Sequence, residues 1–295
     1  MAVDLVRDRE YLILAYIEDQ WYERVPVHMR NASIYDFARE VGKTHAVTGL
    51  TFEELDPRTQ SFELLVAHYC RTFPKFNVCD VGSHYGVFMM DAVRVVEANS
   101  GEADLFAFDA GIAADLTWRN FENNGFTTIK FTHAAVGPMN GHVPMFIDAG
   151  NSEDNRLVNG SGASVPVRCI RLDTYLEQQN AIRPSCVKID VQGAEPAVMA
   201  GMTSLLASQP VTMQIEMAPW AMRKSGMDPI AFLDELLVNY TIFEIGALRQ
   251  HLRHVHDGLG GISTIDGEWP YWTDLLLIPR SLQGVEQLIA PHVTG

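Results

Sequence analysis

The chain has 295 residues, of which 47% are hydrophobic, and a formal net charge of −15 at neutral pH. This composition excludes a disordered chain, and the length is sufficient for one large α/β domain with an accessory region. The negative charge argues against nucleic acid or an anionic membrane as the main partner, because both require a basic surface to neutralise phosphate.

The cysteines and the apolar runs indicate the cellular setting. None of the four cysteines belongs to a CxxC pair, and Cys79 and Cys186 lie in apolar runs that are typical of buried strands. No uninterrupted apolar stretch approaches the roughly 18 residues of a membrane span. We therefore predict a reduced, soluble, cytoplasmic protein that does not insert into a membrane.

Residues 1–74 are predicted to form a helical region without strands. The apolar residues between Tyr11 and Ile17 have a helical distribution. A second helix is predicted to begin at Pro57 with Asp56 as its N-cap, because proline suits the first helical position. This region either caps the substrate crevice or supplies the contact faces of a homo-oligomer, and the sequence leaves both roles open.

From residue 75 to residue 280, apolar strands alternate with helical windows. This alternation predicts a doubly wound, mostly parallel seven-stranded α/β sheet of the Rossmann-like type, with helices on both faces. The predicted strands are 76–81, 104–108, 128–136, 186–190, 211–217, 241–245 and 274–278. The predicted helices are 87–98, 113–123, 196–207 and 228–238, and residues 281–295 are assigned to a C-terminal helix or tail.

The stretch 140–170 interrupts this alternation. Segments with alternating apolar residues around Met145 and Val167 flank a segment rich in glycine, serine and asparagine at 151–164. We predict a β-hairpin insertion with a long loop.

The most informative segment follows the first predicted strand and has the sequence Asp80-Val81-Gly82-Ser83-His84-Tyr85-Gly86. Its glycines allow the backbone to approach a ligand closely. The spacing departs from the G-x-G-x-x-G dinucleotide fingerprint, because His84 occupies the position two after Gly82. The pattern D-x-G-x-x-x-G is instead typical of loops that hold nucleoside-linked methyl donors, where the carboxylate meets the ammonium of the bound amino acid. We predict that Asp80, Gly82, Ser83, His84 and Gly86 bind the cofactor.

Asp109 ends the second predicted strand, Phe106-Ala107-Phe108-Asp109. In related sheets an acidic residue at this position accepts hydrogen bonds from ribose hydroxyls. A local helix cap is the alternative role for a carboxylate at a strand end. Together with the glycine corner, the position favours ribose binding.

A second strand-to-helix corner has the sequence Lys188-Ile189-Asp190-Val191-Gln192-Gly193-Ala194-Glu195. Parallel strands end at the same edge of a sheet, so we expect the polar residues of both corners to lie at one edge, where such sheets bind ligands.

These segments resemble the FkbM family of S-adenosylmethionine-dependent methyltransferases. The similarity covers about residues 76–217, and its most specific motif is KIDVQGAE at 188–195. The family usually has a glutamate at the position of Gln192, and Glu-Pro where this chain has Asp109-Ala110. The first departure removes one carboxylate, and the second shortens the acid by one carbon.

The resemblance implies a class I methyltransferase fold, S-adenosylmethionine as the cofactor, and methyl transfer to a hydroxyl of a sugar or a polyketide-type metabolite. In this fold the strands that end near Asp80, Asp190 and Glu216 are neighbours, so these three acids are expected to line one edge. Three neighbouring carboxylates require positive charge among them; the sulfonium of the cofactor supplies one charge, and Lys188 or a divalent cation supplies another. Such a transfer requires alignment of the acceptor and removal of its proton. We expect Asp190 to border the cofactor and to orient or deprotonate the acceptor, with Glu216 as the second candidate base and His84 as an alternative. Asp190 and Glu216 would together hold Mg²⁺ if the enzyme uses a metal to lower the pKa of the hydroxyl.

Glu195 and His251 are the candidate substrate-binding residues. Glu195 alternatively complements the dipole of its helix. His251 lies in a segment, 246–271, whose histidines, aromatic residues and glycines suit a lid over a sugar. Two other functions stay open: a nicotinamide-dependent oxidoreductase on a related sheet, and a non-catalytic binding protein that retains the fold.

Overall fold

The fold is organised by a nine-stranded sheet, seven strands of which form the predicted core. The computed structural model describes residues 57–111, 114–146, 157, 164–245 and 272–285, together with strands at 10–17, 20–28, 252–254 and 293–294. The strands are β1 (Glu10–Ile17), β2 (Gln20–His28), β3 (Phe76–Val81), β4 (Ala103–Asp109), β5 (Lys130–His133), β6 (Ala135–Val136), β7 (Gly141–Phe146), β8 (Ser164–Ile170), β9 (Ser185–Ile189), β10 (Val211–Met217), β11 (Tyr240–Ile245), β12 (Leu252–His254), β13 (Thr273–Pro279) and β14 (Val293–Thr294). The helices are α1 (Pro57–Thr72), α2 (Val87–Ala98), α3 (Ala114–Asn123), α4 (Leu172–Gln178), α5 (Glu195–Ala200), α6 (Thr203–Ser208), α7 (Pro219–Lys224) and α8 (Pro229–Asn239).

The large sheet has the strand order β14-β12-β11-β13-β10-β9-β3-β4-β5. The five strands from β5 to β10 in this order are parallel, whereas β13 is antiparallel to both of its neighbours, β10 and β11. The strand order reverses between β3 and β9. Open α/β sheets bind ligands in the crevice at such a reversal, so the carboxyl ends of β3 and β9 border the expected site.

The central parallel strands are buried on both faces, which explains their nearly continuous apolar sequences. All six residues of β3 are buried. Val78 packs into a core shared with α1, α2 and α3, whereas its neighbour Cys79 packs into a core shared with α4, α5, α6 and α8. The two-sided burial fixes the register of the strand and therefore the position of the residues that follow it.

The hairpin insertion predicted at 140–170 is confirmed. β7 and β8 pair in antiparallel fashion from Gly141 opposite Cys169 to Phe146 opposite Ser164. β6 joins β8 on its other side and completes a three-stranded sheet. The hairpin therefore pairs within a small sheet of its own, separate from the strands that carry the site.

The prediction that the N-terminal region lacks strands is wrong at its first elements. β1 and β2 form an antiparallel hairpin that pairs Glu10 with His28 at one end and Ile17 with Gln20 at the other. The apolar residues from Tyr11 to Ile17 are nearly continuous, so a helical period and a strand period fit them equally well. Aromatic and β-branched residues favour a strand. Pairing with β2 stabilises the strand conformation over a helix. α1 begins at Pro57 as predicted, and the role of the region stays a prediction.

Two other predicted elements are divided in the structure. The predicted strand 128–136 is two strands, β5 in the large sheet and β6 in the small one. A turn in which the Ala134 N–H donates to the Thr132 carbonyl at 2.9 Å separates them. The predicted helix 196–207 is interrupted at Gly201, where a Cβ would lie 2.1 Å from the Gly137 carbonyl oxygen. Both breaks result from contacts with other segments, which local periodicity does not show.

The sheet extends beyond the predicted seven strands. β12 pairs with β11, and β14 pairs in parallel with β12. Residues 293–294 of the predicted C-terminal helix or tail are therefore a strand. Residues 286–292 and most of 246–271, including His251, lie outside the described residues.

Two further observations concern the predicted cellular setting. In the described part of the chain, no helix has both the length and the apolar character needed to cross a membrane. All four cysteines are free thiols.

Candidate active site

Backbone hydrogen bonds fix the corner between β3 and α2. The N–H groups of Gly82 and Ser83 both donate to the Phe108 carbonyl, at 2.9 and 3.0 Å, and tie the end of β3 to the end of β4. The Gly86 N–H donates to the Ser83 carbonyl at 2.7 Å. Gly82, His84 and Gly86 have φ angles of 83°, 48° and 84°, so the chain reverses sharply before α2 begins.

Two glycines of this corner are required by contacts within the protein. A Cβ on Gly82 would lie 1.9 Å from the Asp190 carbonyl oxygen, and a Cβ on Gly86 would lie 2.4 Å from the Phe121 ring. The close approach that we predicted for a ligand is therefore made by the end of β9 and by α3. The corner is a rigid junction of three elements, and its contact with a cofactor stays a prediction.

Asp80 is buried at the end of β3, with an exposed fraction of 1%. Neither of its carboxylate oxygens has a hydrogen-bond partner among the described residues. The Lys188 Nζ lies 3.8 Å from Oδ1. Burial raises the pKa of Asp80, although the Lys188 charge opposes this shift. A buried carboxylate without donors is costly, so Asp80 is suited to receive an ammonium group from a ligand.

Asp109 ends β4 and accepts two backbone hydrogen bonds. The His84 N–H donates to Oδ2 at 2.7 Å, and the Gly111 N–H donates to Oδ1 at 2.6 Å. Burial raises the pKa of Asp109 to about 6. Each oxygen retains a second lone pair, so the carboxylate still has capacity for the ribose hydroxyls that we predicted. The bond from Gly111 closes a local turn, whereas α3 begins at Ala114, so Asp109 does not occupy the helix-cap position that the alternative role requires.

His84 is held in place by its own backbone and ring. Its carbonyl accepts a hydrogen bond from the Thr117 hydroxyl, and its ring lies 3.8 Å from the Tyr85 ring, measured between centroids. Burial lowers the pKa of His84 to about 3. The imidazole is therefore neutral and binds a proton weakly, which disfavours His84 as the base.

Lys188 supplies positive charge among the carboxylates, as one of the three sources that the sequence suggests. It lies opposite Asp80 on β3 and Gln214 on β10 in the strand register. Its Nζ donates to Asp190 Oδ2 at 3.2 Å and lies 5.1 Å from the centroid of the Phe88 ring. Burial lowers the pKa of Lys188, but the Asp190 and Asp80 carboxylates outweigh burial and hold it above its ordinary value. The ammonium is therefore charged.

Gln192 joins the two candidate catalytic carboxylates. Its Nε2 donates to Asp190 Oδ1 at 3.1 Å and to Glu216 Oε2 at 2.7 Å. The φ angles of Gln192 and Gly193 are 55° and 95°. A Cβ on Gly193 would lie 2.7 Å from the Ala221 carbonyl carbon. The second corner therefore packs directly on α7, and this packing fixes the Gln192 backbone.

The two carboxylates have opposite pKa shifts. Burial raises the pKa of Asp190, but the charge of Lys188 and the hydrogen bonds with Lys188, Glu216 and Gln192 together lower it below its ordinary value. Burial raises the pKa of Glu216, and the neighbouring carboxylates of Asp190 and Asp274 raise it further, to well above its ordinary value. The proton of this pair therefore resides mainly on Glu216. Neighbouring carboxyl groups whose pKa values are pushed apart are typical of acid–base sites.

Glu195 is fully buried in the first turn of α5. Its Oε1 accepts hydrogen bonds from the N–H groups of Val191 and Gly193, at 3.2 and 3.1 Å. Its Oε2 has no hydrogen-bond partner among the described residues. Burial raises the pKa of Glu195 to about 7. Glu195 thus holds the loop that carries Gln192, and its predicted substrate contact stays a prediction.

The structure brings Asp80, Lys188, Asp190, Gln192 and Glu216 into one connected group, which we call the edge cluster. Asp109 lies outside this group and is linked to the first corner through the His84 backbone. His251 lies outside the described residues.

Sequence reasoning missed two polar residues of this edge. Asp274 is buried opposite Glu216 on β13 and accepts a hydrogen bond from Gln214 Nε2 at 3.2 Å. Its signal in the sequence is an acidic residue directly before the apolar run Leu275–Ile278. Gln192 is visible in the sequence only as a departure from the family motif.

A divalent metal between Asp190 and Glu216 does not fit this arrangement. The Gln192 amide nitrogen, a hydrogen-bond donor, contacts both carboxylates, and the Lys188 ammonium contacts Asp190. Mg²⁺ requires oxygen ligands rather than N–H donors. Among the residues that the structure describes, no group of three or more His, Cys, Asp or Glu side chains could hold a metal ion.

Comparisons with known proteins identify the family and find similar solved structures. The Methyltransferase FkbM domain matches residues 80–255. Among solved structures, the chain is similar to a precorrin-6y C5,15-methyltransferase from Geobacter metallireducens GS-15, at 8% identity over 79% of this chain and 94% of that chain, with a TM-score of 0.38. It is also similar to a ribosomal protein L11 methylase from Lactobacillus delbrueckii subsp. bulgaricus, at 11% identity over 79% and 89% of the two chains, with a TM-score of 0.37. A third similar structure is the plantazolicin methyltransferase BpumL in complex with SAH, at 12% identity over 76% and 84%, with a TM-score of 0.33. Among curated proteins, none matches this chain.

The family match and the observed topology agree. The match spans more than half of the chain and includes both corners and the whole edge cluster. The seven central strands have the mostly parallel arrangement, with one antiparallel strand, that the resemblance predicts. The chain therefore belongs to the FkbM family of S-adenosylmethionine-dependent methyltransferases and has the class I methyltransferase fold.

Proposed function

We propose that this methyltransferase transfers a methyl group to a hydroxyl of a small molecule, a sugar or a polyketide-type metabolite, and that Glu216 is the base. The observation that carries the proposal is the raised pKa of Glu216 beside the ionised Asp190 at the carboxyl edge of the sheet. The family resemblance supports the class of acceptor. The negative charge of the whole chain favours a neutral or cationic acceptor over a nucleic acid.

The first corner fits S-adenosylmethionine. The buried Asp80 carboxylate, which lacks hydrogen-bond donors among the described residues, would accept the ammonium of the amino acid portion. Asp109 would accept hydrogen bonds from the ribose hydroxyls. The turn from Gly82 to Gly86 would contact the part of the cofactor between its ammonium group and its ribose. When bound, the cofactor supplies a methyl group on a positively charged sulfur. That positive charge complements the carboxylates of the edge cluster.

Removal of the hydroxyl proton is the task of the carboxylate pair. Lys188 lowers the pKa of Asp190, so Asp190 is a weak base. Glu216 has a raised pKa, so its carboxylate binds a proton more tightly. The sequence alone places Asp190 first, whereas the geometry favours Glu216 as the proton acceptor. Asp190, which stays charged, is left to orient the acceptor by accepting a hydrogen bond from it.

Glu216→Gln tests this assignment. Purified protein is incubated with S-adenosylmethionine labelled with ¹³C in the methyl group and with a panel of nucleotide sugars, oligosaccharides and hydroxylated lactones. We expect a mass gain of one methyl group on one acceptor class, with a carbon chemical shift typical of an O-methyl ether. The variant should lose activity by about 10²–10⁴-fold, because general base catalysis contributes about this factor. It should still bind S-adenosylhomocysteine.

Glu235→Gln is the matched control, because Glu235 is an exposed glutamate on α8 and should leave turnover unchanged. In the wild type, activity should rise with pH through the raised pKa of Glu216, since only the deprotonated carboxylate accepts the proton. Full activity of Glu216→Gln, or a methyl group found on nitrogen, would contradict the proposal. Cofactor binding without transfer to any acceptor would favour the non-catalytic binding protein.

A further inference from the structure

We propose that Gln192 is a positioning residue that controls the proton of Glu216. By donating to both carboxylates, its amide stabilises the form in which Asp190 and Glu216 are both charged, and so lowers the pH at which Glu216 releases its proton. The consequence for catalysis rests on the proposed role of Glu216 as the base. The effect of Gln192 on the protonation of Glu216 does not depend on that role.

The amide has the two donors that this role requires. A primary amide nitrogen carries two N–H groups, and the Gln192 Nε2 has one acceptor for each, Asp190 Oδ1 at 3.1 Å and Glu216 Oε2 at 2.7 Å. Hydrogen bonds from a donor to a carboxylate favour the charged form over the protonated form. Loss of these donors therefore favours the protonated form of Glu216.

The Gln192 side chain is held at this place by the rest of the second corner. Glu195 accepts hydrogen bonds from the N–H groups of Val191 and Gly193, on either side of Gln192. Gly193 packs so closely on Ala221 that no side chain would fit there. The amide therefore reaches both carboxylates from a fixed backbone and does not have to be ordered when a ligand binds.

The other groups that face Glu216 oppose its ionisation, so the contribution of the Gln192 amide is needed to offset them. Asp190 lies in the second corner, Asp274 on β13 and Glu195 on α5, and each of these acids raises the pKa of Glu216. Lys188 donates to Oδ2 of Asp190, whereas Gln192 donates to Oδ1, and Lys188 carries the positive charge of the edge cluster. Three acids therefore oppose ionisation of Glu216. Gln192 favours ionisation without adding a charge, whereas a glutamate in its place would add another acid.

Three substitutions separate the donors of Gln192 from its size and backbone. Gln192→Met keeps the length of the side chain and removes both donors. Gln192→Glu keeps the length and exchanges the donors for negative charge. Gln192→Asn keeps the amide but shortens its reach, and it suits the φ of 55° because asparagine tolerates the left-handed region.

The test is a carbon NMR titration of the 295-residue chain with the glutamate carboxyl carbons labelled, in which Glu216→Gln assigns the Glu216 signal. We expect the midpoint of the Glu216 signal to rise by about one pH unit or more in Gln192→Met, and also to rise in Gln192→Glu and Gln192→Asn. An unchanged midpoint in Gln192→Met overturns the proposal. If that variant does not fold, an unchanged midpoint in folded Gln192→Asn overturns it.

Methyl transfer by the same variants distinguishes this inference from the proposed function. If Glu216→Gln stays active while Gln192→Met shifts the midpoint, Glu216 is not the base, and the role of Gln192 in holding its proton stands. If Glu216→Gln is inactive while the midpoint does not move, the base assignment stands, and the inference about Gln192 is wrong. A true positioning residue should also move the pH profile of kcat by the same amount as the NMR midpoint.

Discussion

The two strand-to-helix corners lie at the same edge of the sheet but are built differently. The corner between β3 and α2 is held by its backbone N–H groups and by side chains of β4 and α3, and the Asp80 carboxylate has no hydrogen bond among the described residues. In the corner between β9 and α5, side chains make the bonds, through Gln192 and Glu195. The first corner therefore keeps the Asp80 carboxylate available for a ligand, whereas the second corner, in which Gln192 bonds to Asp190 and Glu216, can control where a proton resides.

The largest expected effect comes from breaking the backbone of the first corner. In Gly82→Ala, the new Cβ would lie 1.9 Å from the Asp190 carbonyl oxygen at a φ of 83°. Both the steric contact and the backbone conformation oppose alanine, so we expect a loss of about 3 kcal/mol or more in the free energy of unfolding. Urea denaturation measures this loss.

Gly226→Ala is the matched control for this substitution. Gly226 has a φ of 78°, and a Cβ there would have no neighbour within 4 Å. We expect a loss of only about 1 kcal/mol, which is the cost of the left-handed backbone for alanine. Equal losses in the two variants would show that the contact with β9 is not the reason for glycine at position 82.

A second substitution tests the carboxylate that the first corner leaves unbonded. Asp80→Asn keeps the shape of the side chain and removes its charge. We expect the affinity for S-adenosylhomocysteine in calorimetric titration to fall by about 10–100-fold, because a hydrogen bond between charged groups is lost. The free energy of unfolding should change by no more than about 1 kcal/mol, because burial already penalises the charged form of Asp80.

Asp104→Asn provides the comparison for Asp80→Asn. Asp104 lies near the start of β4, at the opposite edge of the sheet, where it pairs with Lys75 at 3.5 Å and with Arg183 at 3.1 Å. Its loss should leave the affinity for S-adenosylhomocysteine unchanged. If Asp80→Asn binds the ligand as well as the wild type does, the assignment of Asp80 to the ammonium is wrong.

The smallest expected effect concerns the stability of the second corner. The pKa of Glu195 is raised to about 7 from an ordinary value of 4.5. The folded protein therefore binds this proton more tightly than the unfolded chain does. The resulting stabilisation is fully present below the ordinary value and is lost as the pH rises to about 7. Glu195→Gln removes this titration. Between about pH 5 and about pH 8, the free energy of unfolding of the variant should therefore decrease by roughly 2 kcal/mol less than that of the wild type.

Urea denaturation at both pH values measures the difference for Glu195. Glu235→Gln on the surface of α8 serves again as the control and should keep the pH dependence of the wild type. If the pH dependence of the free energy of unfolding is unchanged in Glu195→Gln, Glu195 does not titrate in this range. The contrast between a second corner that responds to pH and a first corner that responds to ligand would then be lost.

The elements that the sequence predicted well are those whose limits are local. β3 and α2 have the predicted bounds, because an apolar run ends at Val81 and a helical period begins after Gly86. The errors occur where distant segments decide. The hairpin at 10–28 depends on pairing between two segments, and the break at Gly201 depends on the Gly137 carbonyl.

The candidate site shows the same division. The strand ends of Asp80, Asp190 and Glu216 are visible in the sequence, because each acidic residue lies in or directly after the end of an apolar run. The partner of each acid is not visible. Gln192 and Asp274 meet Glu216 only through the turn of the second corner and the antiparallel register of β13.

The sequence by itself determined the family, the doubly wound sheet and the edge at which its polar residues lie, because strand periodicity and the two corner motifs are local properties of the chain. The tertiary structure decided which carboxylate is charged and which holds the proton. Asp190 and Glu216 are both acids at strand ends, and they differ because Lys188 lies beside Asp190 whereas other acids, among them Asp274, surround Glu216. A pKa depends on burial and on charges a few ångströms away, and those distances exist only in the folded protein.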